Sequence, residues 1–237
     1  MSLVIWHDVE CGRYAADLPV WRELAAAEAG PVLDLGAGTG RVTLDLARRG
    51  HHVVALDREP LLLDALRERA GDLPVETVVG DASAFSLGGR RFGLVLAPMQ
   101  TIQLLGAAGR AGFLRRVHAH LKPGGLAACA LASELEAFDA SRVVLPLPDM
   151  AVIDGTSYFS QPVALRDVGD RMAIERVRTI VTATGTRTTF DDVIHLDKVD
   201  AAQVEAEAMQ IGLRPLPARV IPPTEEHEGT TVVMLRG

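Results

Sequence analysis

The stretch that decides the fold is residues 31–57, which read PVLDLGAGTGRVTLDLARRGHHVVALD. A short apolar run turns at glycines two residues apart, apolar residues then recur at helical intervals, and a second apolar run closes on Asp57. Because glycine has no Cβ, Gly36 and Gly38 let the backbone turn tightly and let a ligand approach it. A carboxylate at the end of the second strand can accept hydrogen bonds from both hydroxyls of a ribose. The stretch therefore predicts strand, turn, helix and strand, and a site for a nucleoside-containing cofactor.

The spacing of the glycines indicates which of two classes of cofactor the turn binds. The dinucleotide fingerprint G-x-G-x-x-G has its third glycine five residues after the first, and Arg41 stands at that position here. With Asp34 before Gly36, Gly38 and Gly40, the pattern resembles motif I, E/D-x-G-x-G-x-G, of the class I S-adenosylmethionine-dependent methyltransferases. The resemblance implies that the turn faces the amino-acid end of S-adenosylmethionine. A noncatalytic protein that binds S-adenosylmethionine or S-adenosylhomocysteine and a nicotinamide-dependent oxidoreductase are the alternatives.

The segments that follow agree with the layout of this family. A third strand leads to Gly80-Asp81-Ala82, a fourth spans residues 92–97, and Leu121-Lys122-Pro123-Gly124-Gly125 matches the family's L-K-P-G-G turn before the fifth. Many relatives have aspartate at the position of Gly93, and we interpret this departure as structural because it lies at the start of a strand. The resemblance covers residues 31–132 best. It implies an α/β fold with a doubly wound, mostly parallel seven-stranded sheet.

An insertion after the fifth strand changes the pattern from alternating helices and strands to extended runs at residues 158–165, 172–182 and 186–196. Turn residues separate these runs, which predicts a small antiparallel β insertion. This layout resembles small-molecule N-methyltransferases that act on glycine or on amino sugars. The predicted division has three parts. Residues 1–150 form a cofactor-binding core with an N-terminal helical lid, and residues 151–197 form an insertion that covers substrate or contacts a second subunit. Residues 198–237 form the last helix and two strands.

The cofactor contacts are implied by the resemblance, residue by residue. Asp34 orients the amino group of S-adenosylmethionine directly or through water, Asp57 holds the ribose, and Asp81 bonds the adenine. Ordinary packing is the alternative role for Arg58 and Met99, and a partly exposed aromatic is the alternative for Tyr14, the predicted lid. The full predicted set is Tyr14, Asp34, Gly36, Ala37, Gly38, Asp57, Arg58, Asp81, Ala82, Ala97 and Met99.

The methyl acceptor is expected outside the carboxyl ends of the strands. Methyl transfer depends chiefly on alignment of nucleophile, methyl group and sulfur, so no nucleophile motif is required. The candidates for the catalytic pocket are Gln100, Gln103, Glu134 and Tyr158, with capping or solvated side chains as the alternative for the first three. His195 and His227 are weaker candidates that could reach the pocket.

Composition limits the partners. A net charge of −7 and 4% aromatic residues argue against nucleic acid, which needs a basic footprint and stacking platforms. Without a signal peptide pattern or an apolar run of about eighteen residues, we expect a cytoplasmic protein that does not span a membrane. The histidines lack metal-ligand spacing, so no metal is predicted. A small-molecule acceptor is expected, and an exposed edge of the inserted sheet favours a homodimer.

Overall fold

The computed structural model describes residues 2–132, 135–139, 145–224 and 229–237. Its helices are α1 (Ser2–Cys11), α2 (Leu18–Ala27), α3 (Arg41–Ala47), α4 (Pro60–Ala70), α5 (Gly106–His120) and α6 (Ala201–Met209), with a 3₁₀ helix at Thr101–Leu104. Its strands are β1 (Val32–Leu35), β2 (Val53–Asp57), β3 (Val75–Val79), β4 (Phe92–Ala97), β5 (Leu121–Ala132), β6 (Phe138–Asp139), β7 (Asp149–Ile153), β8 (Thr156–Asp167), β9 (Arg171–Val181), β10 (Arg187–Asp197), β11 (Arg214–Ile221) and β12 (Thr230–Arg236). Within these described ranges, no helix is long and apolar enough to cross a bilayer.

The main sheet has seven strands in the order β11-β12-β5-β4-β1-β2-β3. β12 runs antiparallel to both of its neighbours, and the other adjacent pairs are parallel. The predicted doubly wound, mostly parallel seven-stranded sheet is therefore confirmed. The strand order reverses between β1 and β4, and sheets of this kind bind ligands outside the carboxyl ends of the strands at such a reversal. The glycine turn after β1 and the segment after β4 lie at that point.

The core lies on both faces of this sheet. Every residue of β1 and β4 is buried, as expected for parallel strands that are covered by helices on both sides. One face carries a cluster that includes Trp21 of α2 and Leu46 of α3, and the other carries Phe113 of α5 and Val204 of α6. The two clusters cover β1 and β4 from both sides and thereby position the backbone that enters the site.

Gly93 in β4 has a packing role. A Cβ at this position would lie 2.1 Å from the carbonyl oxygen of Ala29, in the segment between α2 and β1. Backbone cannot yield to such a contact as a flexible side chain could, so no other residue fits without a shift of the chain. The interpretation of Gly93 as a structural departure agrees with this packing.

A second sheet is formed by the inserted strands. β10, β9, β8 and β6 follow one another in that order, β7 also pairs with β8, and all these pairs are antiparallel. The predicted antiparallel insertion is confirmed by β8, β9 and β10. The short strands β6 and β7 were not predicted, and because β6 begins at Phe138, this sheet starts before residue 151. The division into three domains stays a prediction.

α1 is a helix that the sequence patterns did not predict. Apolar and polar residues are mixed along it without a clean stripe, although Trp6 and Val9 are buried. The helix contacts α4 of the main domain and β7 and β8 of the second sheet. It therefore lies between the two sheets, beside the glycine turn.

Candidate functional site

The turn after β1 can only be built with glycine at two positions. Gly36 and Gly38 have φ angles of 75° and 55°, in the left-handed region. A Cβ on Gly36 would lie 2.7 Å from the side chain of Thr101, and one on Gly38 would lie 2.2 Å from Nε2 of His7. The bare backbone of the turn therefore faces side chains from the segment after β4 and from α1.

Asp57 joins the end of β2 to this turn. Its Oδ2 accepts a hydrogen bond from the amide of Gly38 at 2.8 Å, and its Oδ1 accepts one from the amide of Glu59 at 3.0 Å. Each carboxylate oxygen has a second lone-pair site, so both can still accept a hydrogen bond from a ligand hydroxyl. The two amides fix the orientation of the carboxylate that is predicted to hold the ribose.

Asp34 is a buried carboxylate with an incomplete set of hydrogen bonds. It is 1% exposed, and its Oδ2 accepts from the hydroxyl of Thr43 at 2.6 Å. Its Oδ1 is buried and has no hydrogen-bond partner among the described residues. Burial raises the pKa of Asp34 to about 6, although the Thr43 hydrogen bond and the charge of Arg41 act in the opposite direction. An unpaired buried carboxylate oxygen is costly, and a donor from a ligand would complete it.

The predicted adenine contacts lie at the surface. Asp81 is exposed, and its Oδ1 accepts from both the amide and the hydroxyl of Ser83 at 2.7 Å each. Ala82 is half-buried. The side chain of Arg58 is 79% exposed and pairs with Glu59 at 3.5 Å, so only its backbone and stem are available to flank a ring.

The segment after β4 approaches the turn from the other side. Ala97 is buried, and the half-buried Met99 has a φ of 54°. A positive φ is uncommon outside glycine, and such strained residues cluster at functional sites. Gln100 follows it and is half-buried. Predicted contacts from β1, β2 and β4 thus lie at one edge of the sheet.

Gln103 has a different environment from Gln100. It is buried, its Nε2 donates to the carbonyl oxygens of Ala132 and Asp197 at 3.2 and 3.3 Å, and its Oε1 accepts from the amide of Ala132 at 2.8 Å. These bonds join the end of β5 to the end of β10. Both polar atoms of the Gln103 side chain are hydrogen-bonded to backbone groups, so this candidate has a structural role.

Residues 32–125 match the family described as methyltransferase domain. This part of the chain is a methyltransferase domain. The glycine turn, the acidic residues at its edges and the order of the seven strands confirm the predicted resemblance to the class I S-adenosylmethionine-dependent methyltransferases.

Known proteins that are similar to this chain include the following three. A cypemycin N-terminal methyltransferase from Streptomyces sp. is 38% identical over 97 residues, which is 40% of this chain and 39% of that protein. An amino pentose methyltransferase from Micromonospora echinaspora, solved with S-adenosylmethionine bound, has a TM-score of 0.74 at 22% identity and covers 98% of this chain and 97% of its own. The glycopeptide N-methyltransferase MtfA, solved with S-adenosyl-L-homocysteine, has a TM-score of 0.63 at 26% identity. The match covers 92% of this chain and 86% of that protein. The curated relative is thus matched over about two fifths of its length.

Tyr14 lies in the segment between α1 and α2, next to the methyltransferase domain. It is buried, and the guanidinium of Arg41 lies 5.2 Å from the centre of its ring. Arg41 also donates to the carbonyl oxygen of Tyr14 at 2.8 Å and pairs with Asp17 through both of its terminal nitrogens. The residue that replaces the third glycine of the dinucleotide fingerprint therefore fixes the segment of the predicted lid.

The remaining candidate site residues are Tyr158, His195, Glu134 and His227. Tyr158 of β8 is half-buried, and its ring meets that of Trp6 edge to face at 5.6 Å. His195 of β10 is exposed. Glu134 and His227 lie outside the described residues. Among the residues that the structure does describe, no group of three His, Cys, Asp or Glu side chains is arranged to hold a metal ion.

Sequence reasoning missed the contribution of α1. His7 reaches the glycine turn, whereas Trp6 and Glu10 face the second sheet, where Glu10 accepts two hydrogen bonds from Arg178 at 2.7 and 2.8 Å. The available signal was the i, i+4 spacing of Trp6 and Glu10, with His7 on the adjoining side of the helix. It is short and is not periodic enough to indicate a helix on its own.

S-adenosylmethionine fits the residues that are present. The cofactor offers an ammonium donor, for which the unpaired oxygen of Asp34 is the natural acceptor, and ribose hydroxyls, for which Asp57 keeps lone pairs. The bare glycine backbone lets the side chains of Thr101 and His7 come close to the turn, so they border the place where the cofactor would lie. These three features belong to the same edge of the sheet in the methyltransferase domain.

Proposed function

We propose that the chain transfers a methyl group from S-adenosylmethionine to a nitrogen atom of a small-molecule acceptor. The observation that carries the proposal is the buried, unpaired Oδ1 of Asp34 beside a glycine turn that is tied to Asp57. A ligand with a positively charged donor and a ribose accounts for both features. The fold shared with a methyltransferase solved with this cofactor supports the same conclusion.

The residues of the site would act mainly by positioning. Bound S-adenosylmethionine would supply a methyl group that is already activated by the positive charge on sulfur. Asp34 would accept a hydrogen bond from the amino group, Asp57 would accept from the ribose, and Asp81 would accept from the adenine amino group. Ala97 and Met99 would close the sulfur side. Holding donor and acceptor in line supplies most of the rate enhancement that such a displacement needs.

Nitrogen is the proposed acceptor atom because of the relatives. The similar proteins include an N-terminal methyltransferase, an amino pentose methyltransferase and a glycopeptide N-methyltransferase. An amine or amino sugar is therefore the proposed substrate class. Gln100 and Tyr158 are the proposed polar lining of the acceptor pocket. Glu134 remains a predicted base, and Gln103 is proposed only as part of the pocket wall.

The first test is calorimetric titration of the wild type and of Asp57→Ala with S-adenosylmethionine and S-adenosylhomocysteine. We expect micromolar binding that Asp57→Ala weakens by about 2 kcal/mol, the scale of hydrogen bonds to a charged group. Asp64→Ala is the matched control, because Asp64 is an exposed aspartate of α4 paired with Arg67, and it should bind like the wild type. A folded wild type that gives no heat with either ligand would refute the proposal.

A second step separates an enzyme from a binding protein. Formation of S-adenosylhomocysteine is measured with a panel of amines and amino sugars and with the matching alcohols. Turnover restricted to the nitrogen compounds is expected. Binding of both cofactor forms without turnover of any acceptor would favour the noncatalytic alternative, and binding of a nicotinamide cofactor instead would favour an oxidoreductase.

A cytoplasmic location and a homodimer complete the proposal. β10 is an edge strand of the second sheet, and its Phe190 and Val193 are exposed. An edge of this kind can pair with another chain. Sedimentation equilibrium of the purified protein would test the dimer.

A further inference from the structure

The side chain of His7 lies directly against the glycine turn, at Gly38. The edge of its imidazole formed by Nε2 and Cε1 would be 2.2 and 2.4 Å from a Cβ on Gly38. The ring therefore occupies the space that the missing side chain leaves open. None of the predicted site residues has this position, because His7 comes from α1, far from the turn in sequence.

The hydrogen bonds around His7 determine which of its nitrogens carries the proton. Thr39 Oγ1 donates its single hydrogen to Oδ1 of Asp8 at 2.7 Å. Although burial favours the neutral acid, hydrogen bonds from Arg69 and Thr39 keep the pKa of Asp8 below its usual value, so this carboxylate only accepts. The contact between Thr39 Oγ1 and Nδ1 of His7, at 3.2 Å, must then have the imidazole as the donor.

This tautomer leaves Nε2 of His7 as an acceptor. With the proton on Nδ1, the lone pair of Nε2 is free, and no described residue donates to it. The nitrogen next to Gly38 can therefore accept one hydrogen bond from a ligand that lies on the turn. A carboxylate would be repelled by the lone pair, whereas an ammonium group would be bound.

We propose that His7 is a further cofactor-binding residue, whose Nε2 accepts a hydrogen bond from the ammonium group at the amino-acid end of S-adenosylmethionine and S-adenosylhomocysteine. The inference rests on the proposed function. It assigns the amino group two acceptors on opposite elements, Asp34 of β1 and His7 of α1. On this assignment, a ligand that lacks the amino-acid end would have no ammonium group for Nε2 of His7 to bind.

The test compares S-adenosylhomocysteine with 5′-methylthioadenosine, which keeps the nucleoside and the sulfur but lacks the amino-acid end. Both are titrated into the wild type, His7→Phe, which keeps a ring against Gly38 without a lone pair, and His7→Ala. We expect His7→Phe to bind S-adenosylhomocysteine on the order of tenfold more weakly, the loss expected for a hydrogen bond to a charged group, and to bind 5′-methylthioadenosine like the wild type.

The outcomes distinguish this inference from the proposed function. If the wild type binds neither ligand, the proposed function fails. If the wild type binds both and His7→Phe keeps the same ratio of affinities, only the inference fails. Tighter binding of S-adenosylhomocysteine by His7→Ala would show that the imidazole obstructs the turn, which also overturns it. Normal binding of 5′-methylthioadenosine by the variants shows that they are folded.

A matched pair at Thr39 tests the tautomer. Thr39→Val removes the oxygen that accepts from Nδ1, whereas Thr39→Ser keeps it. We expect Thr39→Val to lose part of the preference for S-adenosylhomocysteine over 5′-methylthioadenosine, and Thr39→Ser to retain it. Equal preference in both variants would contradict the assigned role of Thr39 as a positioning residue.

The pH dependence gives a further readout. Burial lowers the pKa of His7, against the charges of Asp57, Asp8 and Glu10, while Arg69 lowers it further. Protonation of Nε2 on acidification would replace the acceptor with a second cation beside the ammonium. Asp34 faces the same group and titrates in the acid range as well. The wild type should therefore lose more affinity for S-adenosylhomocysteine on acidification than His7→Phe, in which only Asp34 remains; identical pH profiles would contradict the proposal.

Discussion

At Asp34, one carboxylate oxygen accepts from Thr43 while the other is equally buried and has no partner among the described residues. The cost is visible in the pKa of about 6, which burial raises from the usual aspartate value. A core position without a ligand would favour an apolar residue or a fully bonded polar one. Such a liability is expected where a residue is kept for binding rather than for stability.

The substitution Asp34→Asn should remove the cost of burying this carboxylate, which can be measured as a gain in the free energy of unfolding relative to the wild type. Because the folded state holds the Asp34 proton more tightly than the unfolded chain does, the free energy of unfolding of the wild type falls as pH rises from about 4 through the folded pKa. The stability of the Asp34→Asn variant relative to the wild type should therefore increase by about 2 kcal/mol from pH 4 to pH 8. Urea unfolding without ligand, at pH 4, 6 and 8, checks this. A difference that does not change with pH would show that Asp34 is not responsible, and affinity for S-adenosylmethionine should fall at the same time.

At the scale of single elements, β4 shows how packing can override a family pattern. Gly93→Ala places a methyl group 2.1 Å from the carbonyl oxygen of Ala29, so the segment between α2 and β1 must move. We expect the free energy of unfolding to fall by about 2 kcal/mol or more, as for overpacked cores. Gly89→Ala is the control, because a Cβ there meets nothing within 4 Å, and it should change stability by about 0.5 kcal/mol or less. Equal effects of both changes in urea unfolding would contradict this account.

Elements that carry a regular apolar pattern or a local signal such as a turn or cap residue could be predicted from the sequence. Elements without such a signal could not. The glycine turn and the helix stop at Gly212, with its φ of 94°, depend on local backbone chemistry that is visible in the residues themselves. Asp200 has the residue type that is typical of a helix start, and it caps α6, since its Oδ1 accepts from the amide of Gln203 at 2.8 Å. β6 and α1 carry no such signal. They form because a neighbouring element covers them, and their position depends on tertiary contacts.

The same limit applies to the candidate site. Asp34 and Asp57 belong to elements that are adjacent in sequence, so their proximity follows from one motif. His7 and Gly38 meet only because α1 is folded back over the turn, and no spacing in the chain records that contact. Gln103 was identified as a polar residue after β4, but its partners at Ala132 and Asp197 depend on where the second sheet returns to the core.

At the scale of the whole molecule, α1 joins the methyltransferase domain to the second sheet. Glu10 accepts from Arg178 twice and from Ser160 at 2.7 Å, and it pairs with Arg176 at 3.3 Å. Burial alone would raise the pKa of Glu10, but the hydrogen bond from Arg178 and the charge of Arg176 hold it below its usual value. The carboxylate therefore stabilises the contact above its unfolded pKa, and this contribution is lost as pH falls through the lower folded value.

Glu10→Gln should loosen the whole of this contact. The variant leaves two partly buried arginines without their carboxylate, and we expect the free energy of unfolding to fall by about 2 kcal/mol, below the range for fully buried pairs because the arginines keep some solvent. The matched control is Glu23→Gln, whose carboxylate also bonds one arginine twice, Arg219 at 2.6 and 2.8 Å, but is exposed. That control should change little, since exposed pairs contribute little.

The two variants also test whether α1 couples the sheets to the cofactor site. His7 lies on the same helix as Glu10, so a loosened α1 should weaken binding of S-adenosylhomocysteine in Glu10→Gln, while binding of 5′-methylthioadenosine stays close to the wild type. Calorimetry with both ligands, alongside urea unfolding, measures the two effects on one sample. A destabilised Glu10→Gln that binds S-adenosylhomocysteine with unchanged affinity would mean that the second sheet holds α1 for stability alone, and that the turn keeps His7 in place by its own contacts with Thr39.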